Sequence, residues 1–515
     1  NRLFRTIAEE VATLVKRYRG SLSGEHGDGR LRGEFIRQMV GEKNYMLLKE
    51  IKQLWDPANI FNPNKIVDTP PMNSMLRYEP GQKTPPFQTV FRFYRQDILQ
   101  HAEQCNGSGD CRKTHLSGGT MCPSYMATRN EKDTTRARAN ILREFLTHST
   151  KENRFDHTEI YEVMDLCLSC KACKSECPSN VDMAKLKAEF LQQYYDANGV
   201  PFRAKLIAGF SSSAKMGSRM PVLYNFLTGN IITGSLVKAV TGFSQKRSLP
   251  RLSRTTLMSW YRKHKTERDI TTGRKVYLFC DEFTNYTDAH IGITAILLLE
   301  RLGYTVEIPE HRESGRTWLS KGLLRKAQAI ANENIALLSP LVTEQTPLIG
   351  IEPSAILSFR DEYPDLASEE NLAAAKQLAE NVFLVDEFIV SEMDKGNITR
   401  EQFTTASRQV KLHGHCQQKA IGSLGASVKM LSFPENYTVQ TIPSGCCGMA
   451  GSFGYEKEHY GVSMQIGELV LFPSVRKQPD DTLIAAPGTS CRHQIYDGTK
   501  RKALHPVEIL YQALK

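Results

Sequence analysis

Apolar residues recur at helical spacing from the start of the chain. Leu3, Ile7, Val11, Leu14 and Tyr18 lie three or four positions apart, which predicts an amphipathic helix with this stripe facing the core. The same spacing predicts helices in the segments TTRARANILREFL and MAKLKAEFLQQYY. Because the first residue is not methionine and the helix begins at once, we expect the chain to be part of a longer polypeptide.

Short strand-like segments alternate with helical ones in the C-terminal half, and they occur twice. The matching pairs are KVYLFC at 275–280 with QVKLHGHC at 409–416, YTVEIP at 304–309 with YTVQTIP at 437–443, and LIGIEPSA at 348–355 with LIAAPGTSC at 483–491. Strand–helix units of this kind predict a duplicated parallel α/β fold, with functional residues at the carboxyl ends of the strands.

Charge and composition narrow the partners. The chain has 515 residues and a formal charge of +10, and no run of eighteen apolar residues predicts a transmembrane helix. Residues 203–275 carry fifteen Lys and Arg against two acids. This basic, partly apolar segment fits either an anionic membrane surface or a solvated linker face. No nucleic-acid motif accompanies it, so we expect no nucleic-acid partner.

The twelve cysteines are clustered, which favours metal ligation in a reducing compartment over disulfides. Cys167, Cys170, Cys173 and Cys177 follow the spacing C-x2-C-x2-C-x3-C-P. In this motif three thiolates bind one 4Fe-4S cluster and the fourth reaches a different one. The segment CLSCKACKSECP therefore predicts an iron–sulfur cluster, because a zinc site would need neither the third cysteine nor the trailing Cys-Pro.

A second, incomplete motif precedes the first. Cys105 and Cys111 flank Ser108, which stands where a middle cysteine would be, and Cys122 is followed by proline. Exchange of fourth ligands assigns Cys122 to the complete cluster. Cys105, Cys111 and Cys177 could then hold a three-iron cluster, a four-iron cluster with one non-thiolate corner, or nothing.

The second copy of the duplication keeps a thiol group at Cys416, Cys446, Cys447 and Cys491, whereas the first copy keeps only Cys280. We expect the second copy to hold a functional site and the first copy to be degenerate. Zinc, an iron–sulfur centre and an unmetallated cysteine group all fit the site in the second copy. The nearby histidines that could assist are His413, His415 and His493.

The segment SGEHGDGRLRGEF is rich in glycine and places Glu25 beside His26. Glycines on both sides allow a sharp turn that brings a carboxylate and an imidazole together. Such a pair suits a metal ligand and a general base, although a histidine in a glycine turn is often structural.

Together with WDPANIFNPNK, this segment resembles the C-terminal end of the cap domain in FAD-linked D-2-hydroxyacid dehydrogenases. The cysteine region and the CCG repeat resemble the iron–sulfur subunit of glycolate oxidase, so the chain resembles the fused D-2-hydroxyglutarate or D-lactate dehydrogenase type. The resemblance implies a multidomain α+β fold. Its expected parts are the end of the cap domain at 1–68, a Pro-rich linker at 69–92, a helical 4Fe-4S domain at 93–200, a basic connector at 201–272, a degenerate repeat at 273–400 and a CCG repeat at 401–515.

The resemblance also implies residue roles and cofactors. Glu25 would bind a divalent metal such as zinc beside FAD, His26 would be the catalytic base, and Asn62 and Arg30 would contact the flavin. Most of the FAD site would belong to an N-terminal part of the same polypeptide. Electrons would pass from FAD through the cluster to a quinone or a protein acceptor.

A small D-2-hydroxyacid is the expected substrate. We also expect a homo-oligomer in the cytoplasm, with peripheral contact to the inner face of the membrane. The rival interpretation is a non-catalytic electron-transfer subunit of the heterodisulfide-reductase or glycerol-phosphate-dehydrogenase kind, and a third is a zinc-stabilised scaffold.

Overall fold

The computed structural model describes residues 2–76, 86–93, 96–266 and 274–515. The chain divides into two compact units, Asn1–Pro86 and Phe87–Lys515. Parts of the predicted linker (77–85) and of the connector (267–272) lie outside the described residues.

The first unit is helical. Its helices are α1 (Arg2–Arg17), α2 (Gly29–Arg32), α3 (Ile36–Val40) and α4 (Glu42–Trp55), with a 3-10 turn at Gly33–Phe35. Its small core consists of Ala12, Phe35 and Met72, with Ala8 and Leu22 packed against it.

The predicted helix at the start of the chain is present, but the burial predicted for its apolar stripe is wrong. Leu3 is 73% exposed and Tyr18 is 76% exposed. Helix α1 instead turns the face that carries Ala8 and Ala12 towards the core. Periodicity identifies an apolar face but does not say what covers it.

Helices also dominate the cysteine-bearing region. They are α5 (Ile98–Glu103), α6 (Pro123–Thr128), α7 (Thr135–His148), α8 (Thr158–Asp165), α9 (Ala172–Glu176) and α10 (Met183–Asn198), with 3-10 turns at Asp110–Arg112, His115–Ser117 and Glu131–Asp133. Side-chain caps fix the two long helices: Thr134 Oγ1 accepts a bond from the amide of Ala137 at 3.0 Å, and Asp182 accepts from Ala184 at 3.1 Å. The two helices predicted in this region are confirmed.

The basic segment is a series of short helices. These are α11 (Phe202–Ala208), α12 (Phe210–Gly217), α13 (Pro221–Gly229), α14 (Ile231–Thr241) and α15 (Leu257–Thr266).

Two four-stranded parallel sheets follow, so the predicted parallel α/β structure is present. The strands are β1 (Arg274–Phe279), β2 (Tyr304–Glu307), β3 (Leu348–Gly350) and β4 (Val382–Leu384), then β5 (Arg408–Leu412), β6 (Tyr437–Thr441), β7 (Leu483–Ala485) and β8 (Ala503–Leu504). The strand orders correspond, β2-β1-β3-β4 and β6-β5-β7-β8. The registers correspond too, since Val276 pairs with Val306 as Val410 pairs with Val439.

Helices connect the strands of both sheets, as parallel connections require. In the first repeat they are α16 (Glu282–Tyr286), α17 (Ala289–Arg301), α18 (Arg316–Ser320), α19 (Leu324–Leu338), α20 (Pro353–Ile356), α21 (Ser358–Leu366), α22 (Leu372–Glu380) and α23 (Val385–Asp394). In the second they are α24 (Cys416–Ile421), α25 (Leu424–Leu431), α26 (Tyr460–Leu469), α27 (Leu471–Arg476), α28 (Thr489–Thr499) and α29 (Pro506–Gln512), with 3-10 turns at Arg400–Gln402 and Phe453–Tyr455.

Candidate iron–sulfur and thiol centres

Four cysteines from distant parts of the sequence line one cavity. They are Cys122, Cys167, Cys170 and Cys173, the four that the exchange of fourth ligands groups together. Four soft thiolates around one small cavity are the donor set of an iron–sulfur cluster, so these residues fit the group that the motif predicts.

Unusual backbone conformations present these thiols to the cavity. Cys122, Ser169 and Lys171 have left-handed φ angles of 56°, 51° and 62°, which cost energy in residues other than glycine. Pro123 then begins helix α6 directly after Cys122. The Cys122 sulfur accepts a bond from the amide of Thr135 at 3.1 Å, so the loop is also fixed through its ligand atom.

Burial makes this cavity unfavourable for free thiolates. Desolvation raises the pKa of Cys170 and of Cys173, since a buried anion loses its hydration. Binding of a metal cluster replaces the thiol protons with positive metal charge and removes that penalty. The buried Arg138 guanidinium also lines the cavity and adds a permanent positive charge.

A buried ion cluster attaches this region to the first repeat. Asp361 on α21 forms ion pairs with Lys171, with Lys174 and, at 3.2 Å, with Lys185. Asp365 pairs with Lys185 at 3.0 Å, and Glu362 pairs with Lys171 at 2.5 Å.

Sequence reasoning did not single out these acids. Their partners lie almost two hundred positions away, as in the Lys171–Asp361 contact with a separation of 190 residues. The sole local signal is that lysines interrupt the cysteine motif.

The incomplete motif is partly assembled. Cys105 and Cys111 are buried, whereas Ser108 is exposed. A hydrogen bond from Cys122 lowers the pKa of Cys111 to about 6, and the Arg136 guanidinium lies close enough to act on it.

Cys177 is half-buried and close enough to Cys173 to raise the pKa of that thiol, although burial is the larger cause. The exposed serine leaves one corner of this motif open to solvent.

The second repeat brings the four predicted thiols together. Cys446 donates to Cys416 and lowers the pKa of Cys416 to about 6. Cys447 is the centre of the group, because its sulfur is in hydrogen-bonding contact with both Cys446 and Cys491, and these contacts hold its pKa well below the usual value. These buried sulfur atoms converge on one point between the ends of β5, β6 and β7, as the parallel topology requires.

His413 belongs to the same centre. A ligand nitrogen of His413 and the sulfurs of Cys447 and Cys491 lie within 4.8 Å of one another. Its Nδ1 meets Ser444 Oγ at 2.7 Å, and this contact leaves Nε2 for a metal. Ordered histidine ligands commonly use their second nitrogen in this way.

The other two histidines have different contacts. His415 caps helix α24 by accepting a bond from the amide of Gln417 at 3.3 Å, and His493 meets Tyr455 OH at 3.0 Å. Lys419, which no sequence motif marks, is half-buried near the thiols, and its ammonium donates to the carbonyl of Gly445 at 3.0 Å. Burial lowers the pKa of Lys419, although the surrounding thiols oppose that shift.

The two thiol centres are neighbours. Burial raises the pKa of Cys170, and the nearby Cys416 thiol raises it further. A Cβ atom added to Gly445 would meet the carbonyl oxygen of Gly119 at 3.1 Å, so the CCG loop lies against the iron–sulfur loop.

The corresponding position in the first repeat is filled by polar groups. Glu282 accepts bonds from the Ser314 amide at 2.9 Å and from Ser314 Oγ at 2.7 Å. Tyr363 OH donates to the Ser314 carbonyl at 3.0 Å. Cys280 is buried there without the cysteine neighbours that Cys416 has. A hydrogen-bond network thus occupies the position that corresponds to the thiol group of the second repeat.

In the first unit, the Glu25–His26 pair lies on the surface. Glu25 Oε1 and His26 Nε2 are 3.2 Å apart, with side chains 85% and 77% exposed. The Arg30 guanidinium donates to the Ser74 carbonyl at 3.2 Å. These groups are accessible to a ligand from outside the unit.

Asn62 is exposed on a turn with a φ of 46°. Buried Asp56 organises that turn by accepting from the amides of Ile60 and Phe61 at 2.8 and 2.9 Å.

Two family models match separate parts of the chain. Residues 1–66 match the family described as FAD linked oxidases, C-terminal domain. Residues 104–182 match the 4Fe-4S dicluster domain. No solved structure matches the chain significantly.

Curated relatives match all or most of the chain. D-2-hydroxyglutarate dehydrogenase from Escherichia coli is 26% identical over 100% of this chain and 53% of its own length. The protein of the same name from Pseudomonas putida is 28% identical over 99% of this chain and 53% of its own length. The glycolate oxidase iron-sulfur subunit of Escherichia coli is 20% identical over 76% of this chain and 91% of its own length.

The chain therefore spans about half the length of the D-2-hydroxyglutarate dehydrogenases that it matches. An FAD-linked oxidase match precedes a 4Fe-4S dicluster match in this chain, and the resemblance predicted from the motifs is confirmed.

Proposed function

We propose that this chain is the cap-end and iron–sulfur part of a flavoprotein that oxidises a D-2-hydroxyacid, D-2-hydroxyglutarate or D-lactate, to the 2-oxoacid. The observation that carries this proposal is the union, in one chain, of an FAD-linked oxidase C-terminal segment with a four-thiol cavity. A purely electron-transferring subunit would not need the first of these parts.

His26 is the proposed base and Glu25 the proposed ligand of a divalent metal, for which zinc is our first candidate. The imidazole accepts the proton of the substrate hydroxyl, and Glu25, 3.2 Å away, holds a cation where the substrate oxygen would bind. Arg30 and Asn62 contact the flavin, which supplies the hydride acceptor when bound. The exposed apolar stripe of α1 supports an N-terminal FAD-binding part as the covering partner of this unit.

For the electron path we propose a 4Fe-4S cluster on Cys122, Cys167, Cys170 and Cys173. Cys105, Cys111 and Cys177 hold a second cluster with an open corner at Ser108, a proposal supported by the dicluster match. The acceptor is a quinone or a protein, and we propose a cytoplasmic homo-oligomer at the membrane face.

In the CCG centre we propose a zinc or iron–sulfur group on Cys416, Cys446, Cys447 and Cys491. The thiols of this CCG centre lie next to Cys170 of the first cavity. This proximity supports electron transfer through the CCG centre.

The test uses the complete polypeptide, purified without oxygen. D-2-hydroxyglutarate and D-lactate are supplied with an artificial dye acceptor, and iron, zinc and sulfide are counted per chain. His26→Gln should lower kcat about 100-fold or more, and Glu25→Gln should release the divalent metal, whereas Glu50→Gln, at an exposed site on α4, should change neither.

Full activity in His26→Gln would refute the assigned base. A wild-type protein that contains iron but oxidises neither acid would refute the substrate proposal.

A further inference from the structure

The basic segment forms an apolar surface that the described chain leaves uncovered. Helices α13 and α14 and the turn before them present large apolar side chains to solvent, namely Met220 (61%), Val222 (70%), Phe226 (62%), Ile231 (86%), Ile232 (80%) and Leu236 (66%). We call residues 203–252 the hairpin and these six residues the hairpin tip. An exposed apolar surface of this extent marks an interaction site.

Both ends of the hairpin are anchored, so the tip is held in place. At one end Arg203 forms an ion pair with Glu456 at 3.2 Å. At the other end the amide of Ser244 donates to the Tyr455 carbonyl at 2.7 Å, and Arg247 donates to the Gly454 carbonyl at 2.7 Å.

The hairpin is also fixed internally. Asn225 Nδ2 donates to the Leu252 carbonyl at 2.8 Å, and the Leu252 amide returns a bond to Asn225 Oδ1 at 2.8 Å. The apolar exposure is therefore a property of an ordered surface.

The segment that carries the tip has charges of only one sign in its own sequence. Residues 203–266 contain twelve Lys and Arg and no Asp or Glu. Lys215, Arg219 and Arg251 are exposed and make no ion pair with an acid among the residues that the structure describes. Arg251 lies beside the end of α13, because a Cβ atom on Gly229 would meet its guanidinium at 3.9 Å.

Exposed apolar side chains and unpaired cations on one segment complement an anionic bilayer. The apolar groups enter the acyl region, and the cations contact the lipid phosphates. None of the helices in the described part of the chain is long and apolar enough to cross a membrane. Helix α14 has 11 residues, about half of the roughly 20 that a membrane-spanning helix needs. Insertion parallel to the surface is the geometry that this length permits.

We propose that the hairpin tip docks on an anionic lipid surface. Docking would bring the protein to a membrane that holds the proposed quinone acceptor, and in that respect this inference rests on the proposed function. The anchor residue Glu456 contacts His459 at 3.4 Å, and His459 contacts Asp165 at 2.7 Å, two residues before Cys167. The base of the hairpin is thus connected through these side chains to the start of the iron–sulfur motif.

The experiment is flotation of the complete protein with vesicles of phosphatidylcholine alone or with about one third phosphatidylglycerol. We expect binding to the anionic vesicles only, and weakening by salt. Lys215→Glu/Arg219→Glu/Arg251→Glu should lower the partition coefficient about 100-fold or more, since each cation contributes about fivefold. The control, Lys376→Glu/Lys477→Glu/Lys502→Glu, changes the net charge equally at exposed sites outside the connector.

Ile231→Asp/Ile232→Asp should weaken binding at least about tenfold, and Leu341→Asp, at an exposed site on the first repeat, should not. Equal binding to neutral vesicles, or binding unchanged by both test variants, would overturn the proposal. Failure to bind, together with a loss of self-association in Ile231→Asp/Ile232→Asp, would instead assign the tip to a second copy of the chain. Because flotation needs no substrate, a protein that floats but oxidises no hydroxyacid would keep this inference and refute the proposed activity.

Discussion

Replacement of Asp361 by asparagine tests the buried ion cluster that joins the first repeat to the iron–sulfur region. The carboxyl side chain is 2% exposed and serves Lys171, Lys174 and Lys185. Asparagine keeps the shape of the side chain but removes the charge. Two almost fully buried ammonium groups, those of Lys171 and Lys185, would then lose this carboxylate and keep their ion pairs with Glu362 and Asp365.

Breaking a buried ion pair from one side costs about 3–5 kcal/mol, because the remaining charge is stranded away from water. We expect Asp361→Asn to lower the free energy of unfolding by about 3 kcal/mol, since the two neighbouring acids compensate in part. Glu369→Gln is the matched control on the same repeat. Its side chain is 83% exposed and pairs with Arg92, so its loss should cost less than about 1 kcal/mol.

The acid limb of the stability curve gives a second signature. Burial raises the pKa of Asp361, but the three lysines outweigh burial and hold that pKa well below its usual range. A lowered carboxyl pKa contributes stability above the unfolded value of about 3.9 and loses it as the pH falls towards the folded value. The difference between the wild type and Asp361→Asn should therefore be constant near neutral pH and shrink below about pH 4.

Urea titration without oxygen, followed by circular dichroism and by the visible absorbance of the cluster, measures both effects. A double-mutant cycle with Lys171→Met should show a coupling energy of about 1 kcal/mol or more. An Asp361→Asn protein as stable as Glu369→Gln, with no coupling to Lys171, would refute the reasoning.

Three further predictions follow from single side chains. Cys122→Ala should lower the iron content by about four per chain, whereas Cys280→Ala, equally buried, should not; equal iron in both would exclude Cys122 as a ligand. Ser444→Ala frees Nδ1 of His413 and should weaken metal binding at the CCG centre about 10- to 100-fold, measured by competition with a chelator, while Ser474→Ala on α27 should leave it unchanged. Burial lowers the pKa of His505 to about 3, so this histidine should lower the free energy of unfolding by about 1.4 kcal/mol for each pH unit below the unfolded value of about 6.5. His505→Gln should make that pH dependence shallower in urea titrations. A pH dependence that is kept in His505→Gln but lost in His290→Gln would contradict this assignment.

The parts of the fold that follow a local pattern were predictable. The strands beginning near Lys275 and Gln409 follow from repeated apolar segments, and the pairing of Cys122 with the later motif follows from ligand exchange between known cluster spacings. In both cases the sequence neighbours carry the information, and the paired sheets and the shared cavity agree with it.

The long-range features were not predictable in this way. The stripe that includes Leu3 and Tyr18 predicts an apolar face, but its exposure depends on what packs against α1. The contacts of Asp361 join residues more than 170 positions apart. The sequence of a helix does not distinguish an acid that is buried in the fold from one that is exposed to solvent. The role of Lys419 also depends on a loop, at Gly445, that only folding brings to it.

The two repeats meet the iron–sulfur region through different chemistry. The second repeat presents Cys416 and Cys446, which belong to the same buried core as Cys170. The first repeat presents the acids of α21, and Glu282 and Ser314 occupy the position that corresponds to the thiol group of the second repeat. The absence of a thiol group there therefore removes no sulfur from the contact between Cys170 and Cys416. The first repeat instead supplies the carboxylates that neutralise the buried lysines beside the cysteine motif, so its contact with the iron–sulfur region does not depend on thiols.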